Sequence, residues 1–558
     1  MDNKSLLAIV LCILILVGYQ ALISYIYPRP DALPPAQRFT QADPDSSPAA
    51  VQQPISPLEP RKAVEQAPVE QQNTPSVSLQ REREITVETG AYRAVFTSLG
   101  GRLKSLRLKQ YPESLKPDSP LLEIVHAGPY GEIPFAVRVE GKDRTLTDAT
   151  LPYVITGGPL FLLAEDQASL IFSGATEAGV HFTKTYSFSG EGYGIGLEVE
   201  VSNLPFQASS LSLSWIEESR SGGESGYYSV YGPVALIGRK FLYESALDWE
   251  AGEIYGPGNI RWAGFTNSYF LAGMMPLGDQ QKEKEAGDAR LFFSEDNGTF
   301  EARLSIPWSG ENVSYTLYLG PKETSALNAV DTAFDRAIDF GWAHFIARPL
   351  VLLLRMLYSA TGNYGVAIIL LTIMVKLVFF PLSNKSFKSM SAMKKIQPQM
   401  ERLREQYKDD KEKLNKETME LYRNNKVNPL GGCIPMLVQL PVFIGLYQGL
   451  LYAIELRQAP FFGWILDLSQ PDRLGALAIP FVEPPGIPVL TLLMGGSMLV
   501  QQMMTPTTGD PMQQKMMLLM PVVFTAMFIS FPAGLVLYWL VNNVLSVAQQ
   551  QWYTKKYA

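Results

Sequence analysis

Residues 368–383 read "IILLTIMVKLVFFPLS", an apolar run whose one charge is Lys376. At about 1.5 Å of rise per residue, the segment 364–382 extends nearly the ~30 Å thickness of a bilayer's hydrocarbon core, which predicts a transmembrane helix. A lysine inside such a span costs about 2.5–3.5 kcal/mol, and residues of this kind face a bundle interior or a water-filled cavity. Lys376 stands six residues before Leu382, roughly 9 Å from the end of the span by helical rise, so snorkelling to the interface is the alternative. No later apolar span carries an Asp or Glu. The pattern therefore predicts a cation without a carboxylate partner, in a hydrated groove open to the cytoplasm. Thr372, Gln439, Gln448, Ser530, Asn542 and Asn543 are candidates to line it; helix-packing hydrogen bonds are their other reading.

Toward the C-terminus, apolar runs at 431–454, 487–504, 515–530 and 533–552 predict four further transmembrane helices within 431–552. Phe531, Pro532, Ala533 and Gly534 separate the last two, as a tight turn requires. Residues 383–430 hold twelve Lys or Arg against seven Asp or Glu, whereas 455–486 holds two against four. By the positive-inside rule the 383–430 segment and the tail 553–558, with Lys555 and Lys556, are cytoplasmic. Within 383–430 the apolar positions Phe387, Met390, Met393, Ile396, Met400, Leu403 and Tyr407 precede "KDDKEK", and Leu414, Leu421 and Tyr422 follow it. This predicts a helical hairpin whose Phe387, Met390, Met393, Met400 and Tyr407 are candidates to recruit substrate. A basic hairpin beside a membrane suits anionic lipid, ribosomal RNA or a nascent chain; a solvated charged face is the alternative. Nine of the chain's nineteen methionines fall between Met494 and Met527, as suits a surface accepting varied apolar partners or simply lipid-facing filler.

Toward the N-terminus, Leu327, Val330, Phe334, Ile338, Trp342 and Phe345 recur every three or four residues. They predict an amphipathic helix, followed by the interfacial "LVLLLRML", so that 326–363 forms amphipathic interfacial helices. The region 81–325 alternates differently. In "HFTKTYSFSGEGYGIGLEVEVSNL" (181–204), Phe182, Lys184, Tyr186 and Phe188 share one parity, and Ile195, Leu197, Val199 and Val201 repeat at period two. An antiparallel β-sandwich follows. Residues 28–80 contain eleven prolines among Gln, Ala and Ser, which reads as a flexible linker. Within 1–27, Leu6–Tyr27 is an uncharged run that predicts an uncleaved transmembrane anchor. Six spans with a cytoplasmic C-terminus put the N-terminus in the cytoplasm too, and the β region in the periplasm. Behind its linker, that region reads as a tethered appendage.

Several classes are excluded. Gly141 and Lys142 are followed by Asp143, so no P-loop is present, and His126, His181 and His344 are the only histidines. Neither a metal cluster nor acid–base apparatus is expected, and no cofactor. Cys12 and Cys433 lie in apolar runs and read as small buried hydrophobes. A formal net charge of -7 argues against nucleic-acid binding by the chain as a whole.

The segments "NPLGGCIPMLVQLPVFIGLYQ" (428–448), "ELRQAPF" (455–461), "TGDPMQQK" (508–515) and "FPAGLVLYW" (531–539) closely resemble those of the YidC membrane protein insertases. The resemblance implies a polytopic α-helical membrane protein of the bacterial inner membrane, with six transmembrane helices, a five-helix insertase core and a periplasmic all-β supersandwich like that of sugar mutarotases. It implies insertion and folding of newly made membrane proteins, alone or beside the Sec translocon, with phospholipid and a ribosome or targeting factor as further partners and no small-molecule substrate. Relatives carry a cation, commonly Arg, at the position matching Lys376; Lys keeps the charge without the planar fork. Tyr538 and Trp539, with Thr372 and Gln439, match groove positions of the family. The chain ends in "QWYTKKYA", so a ribosome contact through a long basic tail is not expected. Beside this reading stand a secondary transporter of an anionic solute, for which repeated halves are missing, and a membrane-anchored carbohydrate enzyme.

Overall fold

The computed structural model describes residues 82–127, 133–218, 231–243, 254–255, 259–277, 290–296, 299–408, 410–425, 427, 434–479, 482, 484–504 and 511–557. The expected anchor (1–27), the linker (28–80) and the segment 428–433 lie outside these residues.

The described residues between 84 and 321 form three β-sheets of five, nine and six strands. The period-two reading of 181–204 corresponds to two adjacent antiparallel strands, His181–Ser189 and Gly194–Ser202, with Lys184 opposite Val199. Phe182, Lys184, Tyr186 and Phe188 all point inward, and Tyr186 packs 4.7 Å from the Phe96 ring. The lysine on that inward face is fully buried. Its ammonium donates to Asp148 Oδ2 at 2.6 Å, Gly100 O at 2.8 Å and Phe135 O at 2.7 Å, so all three donors are met. Asp148 also accepts from the Tyr153 hydroxyl at 2.8 Å and the Val137 amide at 2.7 Å. Burial pushes the Lys184 ammonium below its ordinary pKa, and Asp148 opposes that shift.

Among the described residues eight α-helices follow: α1 (Thr324–Val330), α2 (His344–Thr361), α3 (Tyr364–Gln406), α4 (Lys411–Asn424), α5 (Ile434–Leu451), α6 (Val489–Met504), α7 (Pro511–Phe528) and α8 (Ala533–Tyr557). The helix expected over 327–345 is not one helix. After α1 come two short 3-10 turns, Phe334–Ala337 and Gly341–Ala343. Asp331 accepts from the Ala333 amide at 2.7 Å and Asp339 from the Gly341 amide at 2.9 Å, side-chain bonds that compete with helix. Phe334 is spent elsewhere. It enters the sandwich core 5.6 Å from Trp262, whose indole donates to Ala333 O at 2.9 Å.

A second difference concerns α3, where the span expected at 364–382 and the first arm of the expected hairpin are one uninterrupted helix of 43 residues, through Pro381 and Pro398. Gly362, at φ 66°, ends α2 in the left-handed conformation that favours glycine. Asn363 then starts α3 by accepting from the Val366 amide at 3.1 Å. Among the described residues, α3 is the helix long and apolar enough to cross a membrane; Gln439–Leu451, Val489–Met504 and Met516–Phe528 are shorter apolar helices. Helix ends are fastened by the loop before α6. Asp472 accepts from the Leu490 amide at 2.6 Å and the Thr491 hydroxyl at 2.9 Å, while Arg473 donates to Pro484 O at 2.7 Å and Ile529 O at 3.1 Å.

The β region is joined to the helices by more than a tether. Ile454, just after α5, is buried in the sandwich core. Arg457 donates to Pro112 O at 2.8 Å and Glu113 O at 3.3 Å, and Gln458 to Pro112 O at 3.0 Å. Gln458 holds φ 58°, a left-handed conformation uncommon for glutamine. Arg348 pairs with Asp335 at 3.1 Å and Arg355 with Glu455 at 2.5 Å. Lys322, buried where the last strand meets these residues, lies 5.5 Å from the Tyr452 ring.

Candidate functional site

Lys376 is half-buried on α3 and faces α8, where its Nζ donates to the Ser546 hydroxyl at 2.7 Å. No carboxylate pairs with it among the described residues. Ser546 in turn donates to the Asn542 carbonyl at 2.7 Å, one turn earlier on α8. The Asn542 side chain accepts from the Gln439 amide of α5. Lys376, Ser546, Asn542 and Gln439 thus form a polar seam linking three helices. Its α8 members recur because residues four apart on a helix share a face.

The remaining candidates divide. Asn543 donates to Ser497 of α6 at 3.1 Å. Thr372 is buried and returns its hydroxyl to Ile368 O of its own helix at 2.7 Å, so it adds no donor to the seam. Trp539 sits in an aromatic group, 4.5 Å from Phe443 and 5.2 Å from Phe528, and Tyr538 is buried in the helical core. Gln448 lies apart, beside Gly341 near the β region.

The hairpin candidates are mostly interior. Met393 and Met400 pack with Ile396, Tyr422 and Val427 between α3 and α4. Phe387 meets Tyr553 of α8 at 6.3 Å, Tyr407 lies 5.1 Å from the Lys413 ammonium, and Met390 is half-buried. Exposed on the hairpin are Lys385, Lys388, Lys394 and Lys395, together with acidic residues such as Glu401 and Glu405 and the apolar Met419.

The sequence reading missed Ser546, Ser497, Asn384 and Gln549, the last two joined at 3.1 Å between α3 and α8. The available signal was the spacing 542, 546, 549, 550 of polar residues along one side of an otherwise apolar helix.

Two family models match the chain: the YidC periplasmic domain over residues 84–353 and the 60Kd inner membrane protein over 356–558. The membrane protein insertase YidC of Pelobacter propionicus is 38% identical over 100% of this chain and 99% of its own length. The chain belongs to the YidC family of membrane protein insertases. The YidC insertase of Oleidesulfovibrio alaskensis is 39% identical over the full length of both chains. A crystal structure of an active YidC insertase with its first transmembrane domain resolved is similar over 86% of this chain and 94% of its own, at 18% identity and a TM-score of 0.37. YidC relatives are inner-membrane insertases with a periplasmic domain.

Proposed function

We propose that this chain inserts membrane proteins through a hydrated groove open to the cytoplasm, in which Lys376 supplies an attractive positive charge. The observation that carries the reading is the pairing of the Lys376 ammonium with a hydroxyl, Ser546, in place of a carboxylate. A neutral partner leaves the site a net cation, so an acidic or polar end of a substrate gains by entering, while its apolar segment passes to lipid. Gln439, Asn542 and Asn543 extend the polar surface; Thr372, Tyr538 and Trp539 shape its wall. In this reading Leu6–Tyr27, the 364–382 part of α3, α5, α6, α7 and α8 are the six spans, with both termini cytoplasmic. The β region then lies in the periplasm. The exposed lysines of the hairpin receive a nascent chain, ribosome or targeting factor, and the Sec translocon is a partner for larger substrates.

The test is insertion of a small two-span protein with an acidic translocated tail, measured beside uptake of small anions. Lys376→Arg retains insertion, because charge survives and a guanidinium tolerates partial burial. Lys376→Glu loses it, most for acidic tails. Lys376→Cys, in a Cys12→Ser, Cys433→Ser background, reacts with a membrane-impermeant thiol reagent from the cytoplasmic side. Full activity of Lys376→Glu together with no labelling at position 376 overturns the groove; anion uptake in place of insertion establishes the transporter.

A further inference from the structure

The Lys376 side chain has two ways to keep its charge solvated: to remain in the seam, or to extend along α3 toward the cytoplasmic surface, about 9 Å away by helical rise. A long flexible side chain with no fixed acceptor takes the second course, and the ammonium then leaves the groove. An acceptor built into a neighbouring helix reverses that preference.

Ser546 has the properties of such an acceptor. It is buried, so water competes poorly for its lone pairs. Its own proton is committed to Asn542 O at 2.7 Å, which leaves the oxygen to accept from Lys376 Nζ at 2.7 Å. The rotation of α8 that presents Ser546 to α3 is set from several sides: Asn543 to Ser497 at 3.1 Å, Gln549 to Asn384 at 3.1 Å and Gln550 to Met504 O at 2.9 Å. The hydroxyl is neutral, so it fixes the ammonium without cancelling it. A lysine ammonium has three donors; Ser546 takes one, and the others remain for a carboxylate brought in by the substrate.

We infer that Ser546 is a positioning residue for Lys376, holding the ammonium inside the seam so that it meets acidic ends of substrate segments. The inference rests on the groove reading above, and the experiment separates the two. Full-length protein in proteoliposomes is assayed with two substrates that differ in an acidic or a neutral translocated tail. Ser546→Ala lowers insertion of the acidic-tailed substrate roughly ten-fold, the scale of a lost hydrogen bond to a charged group, and leaves the neutral-tailed one unchanged. Ser546→Thr, which keeps the hydroxyl, retains activity on both. In a Lys376→Ala background, Ser546→Ala causes no further loss, because there is no ammonium to place. Released from the seam, Lys376 of the Ser546→Ala protein is also modified faster by a water-soluble amine reagent, read by mass spectrometry of the 364–385 region.

Equal loss on both tails, or an equal further loss without Lys376, shows that Ser546 only packs helices and overturns the inference. No loss with Ser546→Ala while Lys376→Glu abolishes insertion overturns the positioning role and leaves the groove standing. Full activity of Lys376→Glu, with no thiol labelling at position 376, removes the groove and the inference with it.

Discussion

Lys184 of the periplasmic domain and Lys376 of the helical core both face inward, and their surroundings are opposite. Lys184 is enclosed in the sandwich with a carboxylate and two carbonyls, every donor met from within. Lys376 is half-buried and meets a single hydroxyl. A buried charge whose partners are all internal stabilises one conformation and has nothing to offer a ligand. A charge given a neutral partner retains donors for something that is not part of the chain. Neither role could be read from the residue type alone.

The comparison breaks most readily at Lys184. Removing its counter-charge by Asp148→Ala leaves an uncompensated buried ammonium, at a cost of about 3–5 kcal/mol to the periplasmic domain. Differential scanning calorimetry should show a clear fall in its unfolding temperature; an unchanged transition would mean the pair is not structural. Lys376→Glu should show the reverse profile, little change in unfolding but a fall of roughly ten-fold or more in insertion of acidic-tailed substrates, as an attraction of about 1 kcal/mol becomes a repulsion of similar size. A variant that unfolds the helical core instead would make Lys376 another Lys184.

A smaller effect sharpens how the two regions are coupled. Arg457→Ala removes the donors to Pro112 and Glu113 and should weaken docking of the periplasmic domain by about 1–2 kcal/mol. Limited proteolysis near residues 112–120 should then quicken. The smallest effect is a pH dependence at Lys322, whose pKa burial lowers to about 7. Since the unfolded chain keeps its lysine protonated to about pH 10.4, the unfolded state binds more protons between these values and stability rises with pH. From pH 7 to pH 8 the gain is about 1 kcal/mol. It should vanish in Lys322→Met; a slope that persists there would assign the titration to another group.

Much of this was legible in sequence because periodicity reports burial. The alternation at 182–188 gave the inward face of a strand, Lys184 included, but not its partner, since Asp148 lies 36 positions earlier and only the folded sheets bring them together. Lys376 stood out because a charge in an apolar run is costly wherever it points. Ser546 did not, because a serine in a helix is compatible with lipid, packing or a ligand until the facing helix is known. The helix expected over 327–345 was misread for a related reason. Its apolar positions follow a helical period, yet Phe334 is taken by the sandwich core, and two aspartates close turns that the hydrophobic pattern does not register.

The uninterrupted α3 makes the Lys376 seam and the helical hairpin mechanically one object. From Lys376 to Gln406 the helix runs about 45 Å, so a tilt of about 5° at the lysine carries the far end roughly 4 Å, and a push at the far end returns as torque on the lysine. Such a lever transmits only as faithfully as its softest joint. Pro381, which removes a backbone hydrogen bond five residues beyond Lys376, is the notch at which the rod would yield, and its stiffness sets how much of a motion at the hairpin end reaches the charge.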